Sequence, residues 1–126
     1  MGDNPGKPPR LELVVRFGSS VAGRMRPDSD IDIAVLGERE LTLEERGRVL
    51  ARLAQRHGFP EDRIDLVDLR AASPLLLHEV AENGDLLEGD PDDLLRFRVS
   101  ACKVYQDTAR LRRARERHLR DILDVP

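Results

Sequence analysis

The segment that begins at Asp30 alternates between polar and apolar residues. Ile31 and Ile33 alternate with Asp30 and Asp32, and a period of two residues predicts a β-strand. Both carboxylates then project from the same face of that strand. Neighbouring carboxylates repel each other, and a buried pair needs a compensating cation. A site with only oxygen ligands suits Mg²⁺, which keeps water and phosphate oxygens in its coordination shell. The segment therefore predicts a strand that carries a magnesium site.

The rest of the chain alternates between strand-type and helix-type segments. The predicted elements are strands over residues 11–17, 30–37 and 63–69, helices over 42–58 and 73–84, a brief edge strand at 86–87 and a last helix over about 91–123. A capping box at Thr42 opens the first long helix and Gly58 closes it. A single helical turn is also expected over residues 19–26. The predicted fold class is α/β (α+β), a small mixed sheet with flanking helices.

Length and composition limit the chain to one domain. A chain of 126 residues is enough for one core, predicted over residues 11–126, and too short for two. The net charge of −3 and the 3% aromatic content argue against a general nucleic-acid binder. The single cysteine, Cys102, excludes internal disulfides and cysteine-based zinc sites, and is expected in the core. Residues 1–10 lack a signal peptide or membrane span and are interpreted as a disordered leader of a cytoplasmic protein.

The residues before the acidic strand are suited to phosphate binding. Gly18-Ser19 ends the first strand, where exposed backbone N–H groups and the Ser19 hydroxyl can hold a phosphate. Gly18 lets the phosphate approach the backbone closely, because it has no side chain. Arg24 and Arg26 follow within the same connection and can neutralise a polyphosphate.

Together these residues resemble the signature of the polymerase-β-type nucleotidyltransferase superfamily. Gly18-Ser19 is followed after ten residues by Asp30-Ile31-Asp32. More narrowly, the chain resembles the minimal nucleotidyltransferase (MNT) domains that act as antitoxins beside HEPN-domain toxins, and Gly23-Arg24 and Ser29 also match how those domains read. The resemblance implies a polymerase-β-like core followed here by a long C-terminal helix, with Gly18, Ser19, Arg24, Arg26 and Ser29 at the nucleotide.

The family's third carboxylate lies on a later strand, within a hydrophobic-Asp-hydrophobic pattern. Asp65 and Asp68 both fit that pattern. They have opposite parity on one strand, so at most one of them faces the site. The resemblance favours Asp65, because the first aspartate of such a run carries the role in similar domains.

The resemblance implies that an acceptor hydroxyl attacks the α-phosphate of ATP and releases pyrophosphate. Asp30 and Asp32 would bridge two Mg²⁺ ions, and Asp65 would complete the ion near the acceptor. The acceptor would be a protein hydroxyl, a tyrosine of the cognate HEPN toxin, which the transferred AMP would silence. Two other hypotheses are a small-molecule nucleotidyltransferase of the aminoglycoside-modifying kind and a catalytically silent toxin-binding module.

Two features lie outside the motif. Family members usually have a helix before the first strand, whereas only ten Gly/Pro-rich residues precede it here, so one sheet edge is expected to be exposed, covered by the last helix or covered by a partner. The end of the last helix carries apolar residues that a small sheet cannot cover, and it is expected to be a docking surface for a partner protein or a second copy. These residues are Leu111, Leu119, Ile122 and Leu123.

Overall fold

The computed structural model describes residues 9–18 and 30–123. Its elements are β1 (Leu11–Phe17), β2 (Ile31–Gly37), α1 (Leu43–His57), a 3₁₀ turn (Glu61–Arg63), β3 (Ile64–Asp68), α2 (Pro74–Asn83), β4 (Asp85–Gly89) and α3 (Pro91–Leu123). The predicted turn over residues 19–26 lies outside the described residues, as do residues 1–8 of the predicted leader. Within the described residues, none of the helices has the length and apolar character needed to span a bilayer.

The four strands form one mixed sheet in the order β3-β2-β1-β4. β1 pairs antiparallel with both β2 and β4, whereas β2 and β3 run parallel. The predicted class, a small mixed sheet with flanking helices and a long C-terminal helix, is confirmed. β4 is longer than the predicted edge strand at 86–87, because its backbone pairing continues through the polar residues Asp85 and Glu88.

Each face of the sheet packs against different helices. On one face, Ile31 and Ile33 of β2 lie in a buried cluster with Val49 and Leu53 of α1. On the other face, Ala34 lies in a second cluster to which α2 and α3 contribute Val80 and Phe97. Successive strand residues project to opposite faces, so Asp32 lies on the face covered by α2 and α3.

The helices begin where local signals in the sequence predict. The Thr42 hydroxyl accepts a hydrogen bond from the Glu45 N–H at 3.2 Å, and the Glu45 carboxylate accepts one from the Thr42 N–H at 2.9 Å. Gly58 ends α1 in a left-handed conformation. Ser73 caps α2, with Pro74 in the first turn. These contacts satisfy backbone groups that a bare helix end leaves unpaired.

The core prediction for Cys102 is wrong. Its side chain is exposed, whereas the preceding residue, Ala101, is buried. α3 buries only a narrow stripe of its surface, containing Leu94, Phe97 and Ala101. A step of one residue rotates a side chain about 100° around the helix axis, which carries Cys102 out of that stripe.

Candidate active site

Two of the predicted carboxylates lie side by side on the sheet. β2 and β3 are in register so that Asp32 and Asp65 are direct partners across the parallel pair. Both project to the face covered by α2 and α3, because their neighbours Ile31, Ile33 and Ile64 fill the opposite cluster. Asp30 is exposed and lies immediately before β2. The fold therefore brings Asp30, Asp32 and Asp65 to one end of one face.

Asp68, the alternative third carboxylate, points to the other face. Its side chain is 3% exposed. Its two oxygens accept hydrogen bonds from the backbone N–H of Leu41 at 2.7 Å and from that of Arg70 at 2.9 Å. These bonds join the end of β3 to the segment that enters α1. Asp68 thus has a structural role, and Asp65 is the residue of the pair that lies beside Asp32.

The electrostatics of the site centre on Asp32. Partial burial raises the pKa of the Asp32 carboxyl, and the nearby carboxylates of Asp65, Asp30 and Glu79 raise that pKa further. Three other carboxylates thus lie near enough to Asp32 to repel its charge, which favours a cation beside it. Sequence reasoning missed Glu79, because its position depends on how α2 crosses the sheet.

Gly18 is required next to Asp32 for a reason that differs from the predicted one. Phe17 is the cross-strand partner of Asp32, so the following residue, Gly18, approaches the carboxylate directly. Gly18 adopts a φ of 79°, and a Cβ at this position would collide with the Asp32 Oδ2 atom. A side chain here would therefore be strained and would displace the carboxylate. The sequence analysis predicted only a role in phosphate binding for Gly18.

The donors at this site fit magnesium bound together with a nucleotide. Across residues 9–18 and 30–123, no three His, Cys, Asp or Glu side chains form a group that could hold a metal ion by itself. Mg²⁺ is usually bound by one or two carboxylates, with substrate phosphates and water as its other ligands. Asp30, Asp32 and Asp65 supply only oxygen donors, and the neighbouring carboxylates add to burial in raising the pKa of Asp32, which a bound cation would offset. Asp30, Asp32 and Asp65 therefore fit Mg²⁺ that is bound together with a nucleotide.

The remaining predicted site residues belong to the connection between β1 and β2. Ser19, Arg24, Arg26 and Ser29 all lie in the connection between β1 and β2, outside the described residues. That connection joins Gly18, beside Asp32, to Asp30, which lies immediately before β2. The segment predicted to bind phosphate thus begins and ends at the carboxylates.

Acidic residues on two parallel strands, next to a glycine that follows β1, can hold Mg²⁺ and the phosphates of a nucleotide. The family model described as "Polymerase beta, Nucleotidyltransferase" matches residues 6–92. This match covers more than half of the chain, and the chain belongs to that family.

Two relatives of this chain are named as one kind of nucleotidyltransferase, a protein adenylyltransferase. The protein adenylyltransferase MntA of Shewanella oneidensis is 38% identical over 98 residues, which are 78% of this chain and 68% of that protein. The protein adenylyltransferase MntA of Aphanizomenon flos-aquae is 35% identical over 94 residues, 69% of this chain and 63% of that protein. The chain thus spans about two thirds of the length of these two relatives.

Solved structures with the same fold come from toxin–antitoxin complexes. A toxin–antitoxin structure with AMP-PNP has a chain that is 35% identical with a TM-score of 0.71, and the match covers 91% of this chain and 88% of that one. A complex of a tri-AMPylated Shewanella oneidensis HEPN toxin with its MNT antitoxin has a chain that is 33% identical with a TM-score of 0.64, covering 91% of this chain and 85% of that one. The predicted resemblance to MNT antitoxin domains is confirmed.

Proposed function

We propose that this protein is a magnesium-dependent adenylyltransferase that transfers AMP from ATP to a hydroxyl of a HEPN-type toxin and thereby acts as its antitoxin. The observation that carries the proposal is the pairing of Asp32 with Asp65 across β2 and β3, with Gly18 against the Asp32 carboxylate. The related MntA proteins are named protein adenylyltransferases, and a related MNT antitoxin was solved with an AMPylated toxin.

The carboxylates hold the metal in this proposal. Asp30 and Asp32 would hold Mg²⁺ together with the triphosphate, and Asp65 would complete the set of carboxylate ligands from the neighbouring strand. When bound, Mg²⁺ neutralises the triphosphate and the pyrophosphate that leaves. The contribution of the chain is to hold these groups in fixed positions, because β2 and β3 are neighbouring strands of one sheet.

The nucleotide is positioned by the turn that follows β1. The Gly18-Ser19 backbone and the Ser19 hydroxyl bind phosphate oxygens. Arg24, Arg26 and Ser29 contact the nucleotide from the same connection, and the arginines offset the charge of the triphosphate. These assignments come from the resemblance to nucleotidyltransferases, and they are supported by the ends of the connection, which begins beside Asp32 and ends at Asp30.

The transfer replaces a phosphoanhydride bond of ATP with a phosphoester bond to the acceptor. The oxygen of the acceptor hydroxyl forms a bond to the α-phosphorus of ATP, and the bond from that phosphorus to the bridging oxygen of the β-phosphate breaks. Pyrophosphate leaves with the bonding electrons. Asp65 is exposed, so an incoming acceptor can reach it, and its carboxylate orients the hydroxyl and receives the proton.

The proposal is tested by transfer of label from ATP to a purified HEPN-domain protein in the presence of this chain. ATP radiolabelled at the α-phosphate should label that protein when Mg²⁺ is present, and ATP labelled at the γ-phosphate should not. Asp30→Asn and Asp32→Asn should each abolish labelling. Glu40→Gln is the matched control, because Glu40 is an exposed carboxylate after the far end of β2.

Each alternative predicts a different result in the same assay. A silent binding module would bind the HEPN protein without labelling it. A small-molecule transferase would transfer the label to an aminoglycoside and leave the HEPN protein unlabelled. Label from the γ-phosphate would indicate a kinase. Any of these results would contradict the proposal.

A further inference from the structure

The C-terminal helix, α3, is much longer than the sheet that it covers. Its 33 residues span about 50 Å. Leu94, Phe97 and Ala101 are its buried residues, and all three lie in the first third of the helix. Every residue from position 113 to position 123 is exposed. The second half of α3 therefore extends beyond the body of the domain.

Tyr105 of α3 contacts α2 and also interacts with a residue two turns further along α3. His78 of α2 stacks on the Tyr105 ring, with the two ring centroids 3.9 Å apart. The Arg112 guanidinium lies 3.9 Å from the centroid of the same ring. Arg112 also donates hydrogen bonds to the Thr108 hydroxyl at 2.6 Å and to the Tyr105 carbonyl at 3.2 Å. Arg112 is thus held within the helix, at the point where α3 leaves the domain.

The face of α3 that packs on the sheet continues beyond this point without a cover. Val104 and Leu111 follow Phe97 at intervals of seven residues, about two turns, and Ile122 follows Val104 by eighteen residues, five turns. Their exposed fractions rise from 9% at Phe97 to 37% at Val104 and 72% at Leu111, and Ile122 is 56% exposed. We call Val104, Leu111, Leu119 and Ile122 the distal stripe.

The distal stripe is continuous with a groove on the body of the domain. This groove is a cavity of about 340 Å³ between the sheet and the helices on this face. Val104 lines the cavity and is also the first residue of the distal stripe. The other apolar lining residues are Leu36, Leu69, Leu77, Phe97 and Ala101. Groove and stripe together form one extended apolar surface of the kind that marks protein interfaces.

Charge decides which partner this surface can accept. Residues 110–123 contain six arginines and two carboxylates, a net charge of +4 with His118 neutral. A second copy would bring +4 against +4, so self-association through this helix is opposed. Arg115 follows Phe97 by eighteen residues and therefore projects from the centre of the apolar face. A partner that covers this face must supply a carboxylate to Arg115, because a buried unpaired charge is unfavourable.

We propose that the distal stripe and the groove dock a partner protein whose contact surface combines apolar side chains with carboxylates, one of which pairs with Arg115. This inference rests on the proposed function, which makes that partner the HEPN-type toxin. Docking through α3 holds the toxin on the domain while its acceptor hydroxyl enters the site at Asp65. Specificity for the toxin then resides in a surface separate from the carboxylates that carry out transfer.

The test compares full-length variants that share the same helix. Arg115→Glu removes the proposed central contact, and the double variant Leu111→Ser/Ile122→Ser removes apolar contact area. Arg113→Glu is the matched control, because it makes the same charge change two residues away, on the opposite side of α3. Dissociation constants for the purified HEPN protein are measured by calorimetry, together with ATP affinity, Tm and sedimentation of the chain alone.

Arg115→Glu and the double variant should each weaken HEPN binding about tenfold or more, while Arg113→Glu changes it about threefold at most. ATP affinity and Tm should not change, because all four positions are exposed. Equal losses at positions 113 and 115 would overturn the proposal, as would unchanged binding by the double variant. A wild-type dimer that the double variant abolishes would assign the surface to a second copy instead.

The labelling assay separates this inference from the proposed function. If the HEPN protein is labelled normally but Arg113→Glu and Arg115→Glu weaken its binding equally, the docking proposal is wrong and the transfer proposal stands. If it binds with the expected pattern but is never labelled, docking stands and transfer is wrong. If it is neither bound nor labelled, both are wrong.

Discussion

Asp65→Asn and Asp68→Asn should have opposite effects on activity and stability, although the two residues lie three positions apart on β3. Asp68 is buried and accepts two hydrogen bonds from backbone N–H groups. An asparagine can accept only one of them and turns its NH₂ group toward the other donor. Loss of one hydrogen bond to a buried carboxylate costs about 1.5–3 kcal/mol. For a chain of this length, that corresponds to a fall in Tm of about 6–12 °C.

Asp65→Asn should leave Tm nearly unchanged, because its side chain is exposed. It should instead abolish AMP transfer, because it removes a proposed metal and acceptor contact. Both variants are measured by thermal unfolding without divalent ions and by AMP transfer at 20 °C below the Tm of each variant, so that both are folded in the activity assay. Asp68→Asn should retain transfer there.

The reverse pattern would contradict the roles assigned to Asp65 and Asp68. If Asp68→Asn abolishes transfer while the folded fraction is unchanged, the third carboxylate is Asp68. If Asp65→Asn retains wild-type transfer, its position beside Asp32 has no catalytic meaning. Equal falls in Tm would contradict the assignment of Asp68 to the structural side of β3.

Three further results are expected, at Gly18, Asp32 and Glu45. Gly18→Ala should cost about 1–2 kcal/mol of stability because of its positive φ, and should also suppress transfer by displacing Asp32; unchanged transfer would refute the close approach. Without divalent ions, Asp32→Asn should raise Tm at neutral pH, because a raised pKa makes the ionised carboxylate unfavourable in the folded state. That gain in Tm should shrink as the pH falls toward the ordinary pKa of an aspartate. A gain that does not depend on pH would contradict the raised pKa of Asp32. Hydrogen bonding to Arg39 lowers the pKa of Glu45 to about 2, so Glu45→Gln should lower stability at neutral pH. This deficit should disappear as pH falls from about 4.5 toward 2 in urea unfolding, and a deficit that persists at pH 2 would refute the ion pair with Arg39.

Much of the fold was predictable because its signals are local. The capping box at Thr42 and the Ser73-Pro74 pair mark the helix starts where the structure has them. The period of two around Asp32 predicts both the strand and the face on which the carboxylates lie. The same parity argument separates Asp65 from Asp68, without any knowledge of tertiary structure.

The features that were missed depend on contacts between distant segments. Glu79 reaches the site only because α2 crosses the sheet beside Asp32. The full extent of β4 depends on its backbone pairing with β1, a strand about seventy residues away in the chain. The exposure of Cys102 depends on how narrow a stripe α3 buries. No local pattern in the sequence encodes these relationships.

The central claim is that the carboxylates on β2 and β3 direct AMP onto the HEPN partner. The most direct test is intact-mass spectrometry of that partner after incubation with ATP and Mg²⁺, alongside measurement of the pyrophosphate released. The account predicts a mass increase of one AMP unit per pyrophosphate with the wild-type protein, and no increase with Asp32→Asn. A partner of unchanged mass, or an equal increase with the Asp32→Asn variant, would contradict it.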